Sequence, residues 1–106
     1  MNIPFVDLKA QYKTIKREID RSIFRVVNET QFISGKYVKE FEKKFSKAMK
    51  VKNTISCANG TDALFICLKA LGIGSGDEVL TSSMSWFSTS ESISLTGAKV
   101  VFVDVD

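Results

Sequence analysis

Residues 53–103 alternate between two kinds of apolar pattern, and that alternation constrains the chain more than any other feature. Residues 53–58, Asn53-Thr54-Ile55-Ser56-Cys57-Ala58, read as a short strand. Residues 61–71 follow with Leu64, Cys67, Leu68 and Leu71 at helical intervals. Glu78–Ser82 is strand-like again, residues 83–97 are Ser-rich with a weak helical pattern, and Lys99–Val103 is a further strand. The order strand, helix, strand, helix, strand argues for an α/β protein whose strands run parallel. In such sheets a ligand sits beyond the carboxyl ends of the strands. Three stretches fall there: residues 59–62, 83–86 and 104–106. An open sheet whose last strand coincides with the end of the sequence is expected to be part of a longer protein.

The first half is simpler. Residues 8–30 carry Leu8, Tyr12, Ile15, Ile19, Ile23, Val26 and Val27 at intervals that mark an amphipathic helix, with Lys, Arg, Glu and Asp on the other face. Gln31-Phe32-Ile33-Ser34-Gly35 breaks it, and a second helix follows with Val38, Phe41, Phe45 and Met49 on one stripe. The three alternate glycines of Gly72-Ile73-Gly74-Ser75-Gly76-Asp77 look like a dinucleotide loop. However, they end a helix and lead into a strand, whereas a dinucleotide loop does the reverse, so a helix stop plus a turn is expected here.

Composition removes several function classes. The 106 residues are 44% hydrophobic and 25% charged with a net charge of +3, enough for one modest domain. The basic residues are interleaved with acidic ones along the helices, which reads as a solvated face rather than a nucleic-acid stripe. With no histidine in the chain, the commonest general base and the commonest zinc ligand are missing. The two cysteines, Cys57 and Cys67, form no CxxC pair and are expected to be buried thiols of a cytoplasmic protein. The start shows no signal-peptide pattern, and no apolar run approaches a membrane span.

Three motifs carry possible chemistry. In Asn59-Gly60-Thr61-Asp62, Gly60 allows close backbone approach, Thr61 offers a hydroxyl, and the first N–H groups of the helix would face an anion. The competing account is that Thr61 or Asp62 merely caps the helix, and Asp62 would repel a phosphate unless turned away. Local chemistry favours the cap. Trp86, the single tryptophan, lies beyond a strand end, where it could lie against a planar ligand or simply cover the sheet edge. Asp104 and Asp106 form a D-x-D whose carboxylates share one side of a strand. That pattern suits a divalent ion on a nucleotide-sugar diphosphate, as in glycosyltransferases, but solvated strand-end carboxylates are the simpler account.

In order along the chain, these blocks resemble the amino-terminal part of the DegT/DnrJ/EryC1/StrS family, pyridoxal-phosphate-dependent sugar aminotransferases of the aspartate-aminotransferase fold. The resemblance covers nearly every residue. It runs from Ile3-Pro4-Phe5-Val6-Asp7-Leu8-Lys9-Ala10-Gln11-Tyr12 through Gln31-Phe32-Ile33-Ser34-Gly35 and Phe41-Glu42. It continues with Asn59-Gly60-Thr61-Asp62-Ala63-Leu64, Gly72-Ile73-Gly74-Ser75-Gly76-Asp77-Glu78-Val79 and Gly97-Ala98-Lys99-Val100-Val101-Phe102-Val103-Asp104. It implies the N-terminal portion of the large domain of a type I pyridoxal-phosphate-dependent transferase, with the remainder of that domain and the C-terminal small domain outside residues 1–106.

The resemblance reverses the local preference at two motifs. It implies that Gly60 and Thr61, with the Asp62 backbone adjoining, grip the phosphate of pyridoxal 5'-phosphate, and that Trp86 stacks on the pyridine ring. It gives the D-x-D no metal role. The lysine that bonds the cofactor, the Asp that pairs with the pyridinium nitrogen and a further phosphate-binding Ser are expected beyond the matched region, so residues 1–106 alone are expected to be inactive. A truncated, non-catalytic binding module is the rival expectation. For the intact relative, the resemblance implies a homodimer transferring an amino group from an amino acid, typically glutamate, to a nucleotide-linked keto-sugar. Ser56-Cys57-Ala58-Asn59-Gly60-Thr61-Asp62 is similar to enzymes acting on 3-keto sugars, including UDP-linked 3-oxo-glucuronate derivatives.

Overall fold

A computed structural model describes residues 5–105, which divide into two compact units, the first ending at Ile55 and the second beginning at Ser56. In the first unit, α1 (Leu8–Asn28) starts at Asp7, whose Oδ1 accepts the Ala10 N–H at 2.9 Å. That bond satisfies one of the donors a helix start leaves open. The helix ends two residues before the sequence pattern does. There the Gln31 N–H returns to the Val26 carbonyl, and Thr30 takes a left-handed φ of 50°. In α2 (Lys36–Met49), the Phe41 and Phe45 rings lie 5.5 Å apart, one turn from each other. Between the helices the Glu29 carboxylate takes two partners, Lys36 Nζ at 2.5 Å and the Tyr37 hydroxyl at 2.8 Å. Both helices form where their apolar stripes place them, yet neither has a buried residue.

The second unit holds α3 (Gly60–Ala70), β1 (Glu78–Ser82), α4 (Phe87–Thr96) and β2 (Lys99–Val103). Strands β1 and β2 are parallel, with Glu78 opposite Lys99 and Ser82 opposite Val103, so α4 is the crossover between them. Lys99 Nζ lies 2.6 Å from Glu78 Oε1 across the first rung. The Gly72–Asp77 turn is the expected helix stop. Gly72 sits at φ 80°, the Ile73 N–H bonds back to the Leu68 carbonyl, and Asp77 Oδ2 accepts the Gly74 N–H at 2.8 Å.

The weak helical pattern of residues 83–97 has a local cause. Ser90, Ser92 and Thr96 turn their hydroxyls onto carbonyls of the preceding turn of α4, at Phe87, Ser88 and Ile93. Polar residues thereby occupy positions that face the interior. The buried residues of the unit are Ser92, Ile93, Thr96 and Ala98, and three of those four lie on α4, against α3 and the sheet.

Two expectations fail. Residues 53–58 form no strand, and the sheet has two strands rather than three. A strand needs a ladder partner, and no described segment offers one to this run. Both cysteines are exposed rather than buried. Cys57 lies in that run. Cys67 borders an open apolar crevice of about 220 Å³ with Leu64, Leu68, Val79 and Ile93, which nothing among the described residues fills.

Candidate functional site

The start of α3 is built by Asn59, a residue the sequence reading left without a role. Its side chain accepts the Asp62 N–H at 2.9 Å, its Nδ2 donates to Asp62 Oδ2 at 3.1 Å, and its carbonyl accepts the Ala63 N–H. Neither Thr61 nor Asp62 is the cap, which corrects the simpler account of this turn. The signal was present in the sequence: Asn is among the most favoured N-cap residues, and an acidic residue three positions on suits the first turn of a helix. The exchange also fixes the Asp62 carboxylate against the Asn59 amide.

What remains open at this end of α3 is a set of neutral hydrogen-bond donors. The N–H groups of Gly60 and Thr61 and the Thr61 hydroxyl have no acceptor among the described residues. A Cβ built on Gly60 would meet nothing within 4 Å, so a ligand can approach the backbone there. Unpaired N–H groups at a helix start, backed by the helix dipole, attract a compact anion.

Trp86 lies one element further on, as the N-cap of α4 just past the end of β1, with 81% of its surface exposed. It borders a cavity of about 290 Å³ together with Phe87, Phe102 and a set of hydroxyls from Ser82, Ser83, Ser85, Thr89 and Ser90. Aromatic faces edged by hydroxyls suit a flat, polar ring. Gly60, Thr61 and Asp62 share one turn but do not line this cavity, so the four expected residues fall into an anion turn and a ring pocket. The two are tied through Ser92. This fully buried residue of α4 has its hydroxyl 3.2 Å from the Thr61 carbonyl.

The D-x-D finds no comparable support. Asp104 is exposed and its Oδ1 accepts the neighbouring Val105 N–H at 2.9 Å, while Asp106 lies outside the described residues.

A helix start with open donors and, past the carboxyl end of β1, an aromatic pocket edged by hydroxyls thus stand within one α/β unit. The family model for the DegT/DnrJ/EryC1/StrS aminotransferases matches residues 13–106, and the chain belongs to that family. It is 45% identical over its whole length to a pleiotropic regulatory protein of Geobacillus stearothermophilus. Over 98% of its length it is 48% identical to the UDP-2-acetamido-2-deoxy-3-oxo-D-glucuronate aminotransferase of Pseudomonas aeruginosa. It spans 28% and 29% of those two relatives, less than a third of their length. Among solved structures, an aminotransferase of this family from Brucella abortus superposes with a TM-score of 0.93 at 44% identity, covering 99% of this chain and 28% of that one. NtdA from Bacillus subtilis, solved with its bound cofactor PMP, superposes at 0.90 with 29% identity, covering 99% of this chain and 24% of that one. The architecture is therefore the N-terminal part of the pyridoxal-phosphate-dependent aminotransferase fold.

The family's cofactor is pyridoxal phosphate, and the residues present fit it. A phosphate monoester needs several convergent donors and room for close approach, and the Gly60–Thr61 turn supplies both. A pyridine ring needs an apolar face beside polar groups, and the pocket at Trp86 supplies those.

Proposed function

We propose that Gly60 and Thr61 hold the phosphate of pyridoxal phosphate through their backbone N–H groups and the Thr61 hydroxyl, with the Asp62 backbone adjoining, and that Trp86 lies against the cofactor ring. The open donors at the start of α3 carry this reading. In it the protein moves an amino group from an amino acid, taken to be glutamate, to a nucleotide-linked keto-sugar for amino-sugar and surface-polysaccharide synthesis. A 3-keto substrate is favoured by the 48% identity to an aminotransferase whose name specifies a 3-oxo sugar. A cytoplasmic homodimer completes the proposal.

Each residue has a stated task. The N–H groups of Gly60 and Thr61 are preorganised by the Asn59 cap, so binding an anion there requires no rearrangement of the turn. The Asn59–Asp62 exchange keeps the nearest carboxylate occupied. Trp86 and Phe87 wall the pocket and exclude water from one side of the ring. Bound in this way, pyridoxal phosphate would supply the electron sink that amino-group transfer requires. No lysine lines the ring pocket, so residues 1–106 by themselves are expected to bind without transaminating.

The test is equilibrium binding of PMP to the full chain that carries these residues. Trp86→Ala should weaken binding up to about tenfold, the size expected for losing one aromatic contact. Unchanged affinity would remove Trp86 from the site, and no affinity in the unaltered protein would sink the cofactor reading.

A further inference from the structure

The phosphate turn and the ring pocket stand on different helices, and a single cofactor has to engage both. Their separation is therefore a functional quantity. Among the described residues, one side-chain hydrogen bond links α3 to α4: Ser92 Oγ to the Thr61 carbonyl, at 3.2 Å. The same hydroxyl lies 2.6 Å from the Ser88 carbonyl one turn earlier in α4. Ser92 is, among the described residues of the unit, the one side chain with 0% exposure, so water does not compete for its proton. A buried hydroxyl shared between two carbonyls fixes both backbones, because withdrawing either acceptor leaves it less well satisfied.

The two anchored carbonyls matter for where they sit. Thr61 is the second residue of α3, inside the phosphate turn. Ser88 is the second residue of α4, two positions after Trp86 and next to the pocket residues Phe87 and Thr89. Ser92 thus joins the first turn of one helix to the first turn of the other. Its small side chain also permits the close approach of the helices at that point.

We propose that Ser92 is a positioning residue that sets the distance between the phosphate turn and the ring pocket, without itself touching the cofactor. The inference rests on the cofactor reading above. It differs from a packing role in one measurable respect: a spacer governs ligands that bridge the two subsites and leaves ligands of either subsite alone.

Three probes separate these roles in the full chain: PMP, which spans both subsites; pyridoxamine, which lacks the phosphate; and inorganic phosphate. Ser92→Ala removes one oxygen and keeps every carbon that packs between the helices. PMP affinity is expected to fall about fivefold, the scale of one buried hydrogen bond, with pyridoxamine and phosphate affinities unchanged. PMP binding equal to wild type in Ser92→Ala would overturn the proposal, as would an equal loss for all three probes, which marks general loosening. Should Ser92→Ala not fold, the near-isosteric Ser92→Cys, a much weaker donor, decides: a PMP loss with pyridoxamine and phosphate affinities unchanged supports the spacer, and wild-type PMP affinity or an equal loss for all three probes refutes it. If the unaltered chain binds neither PMP nor phosphate, the cofactor reading fails and takes this inference with it, an outcome distinct from a failed spacer.

Discussion

The two units of this chain invert the usual relation between a clear sequence pattern and a buried core. In residues 1–55 the apolar stripes of α1 and α2 are regular, yet Ile15, Ile19, Ile23, Phe41 and Phe45 remain between 38% and 57% exposed. In residues 56–106 the helix with the weakest stripe, α4, supplies three of the four buried residues. Amphipathic periodicity reports which face a helix would bury, and not whether a partner is present. The first unit has its faces ready and little to cover them. The second has a small closed core, and the candidate site is built on it.

The largest test of that contrast is a pair of truncations. Ile93→Ala should destabilise the second unit by about 2–5 kcal/mol, through lost transfer energy and the cavity left behind. Ile23→Ala, at 57% exposure, should change stability by no more than about 0.5 kcal/mol. Urea unfolding of the two variants measures both, and equal effects would show that α1 is covered in the folded protein.

A smaller test uses the left-handed positions that end a helix in each unit. Gly97 ends α4 at φ 90°, so Gly97→Ala should cost about 1–2 kcal/mol. Thr30 follows α1 at φ 50° with a β-branched side chain, so Thr30→Gly should stabilise by about 1 kcal/mol. Melting curves of the two variants should move in opposite directions.

The smallest effect belongs to Glu29. Hydrogen bonds from Lys36 and then Tyr37 hold its carboxyl below the ordinary value of 4.5. Its support of the α1–α2 turn is therefore complete above the unfolded value and lost as pH falls through the lower folded one. Because the group is exposed, added salt should shrink the effect. The protection factor of the Lys39 amide, whose N–H bonds to the Gly35 carbonyl, should fall on acidification in the wild type and stay flatter in Glu29→Gln.

Elements whose signals are local were legible in the sequence. Both N-terminal helices, the Gly72–Asp77 stop and the two paired strands stand within a residue or two of where the pattern puts them. The strand expected at 53–58 was not legible, because pairing depends on a distant segment that an apolar run does not reveal. The start of α3 stands where the sequence pattern puts it, but the cap expected of Thr61 or Asp62 is performed by Asn59. A hydroxyl and a carboxylate drew attention away from an amide that satisfies donor and acceptor at once. Ser92 escaped the sequence reading because its importance comes from a neighbour 31 positions away, and one serine among many carries no such mark.

The parallel pair β1–β2 has a further consequence. Each strand is hydrogen-bonded along one side, so among the described residues the opposite sides of both present a row of free N–H and C=O groups five residues long. Leu80 and Phe102, at 67% and 58% exposure, stand on those strands. Such edges are templates for strand addition. Residues 1–106 handled as an isolated polypeptide would therefore tend to self-associate through these edges. Their solubility should depend on whether another strand is supplied to cap the sheet.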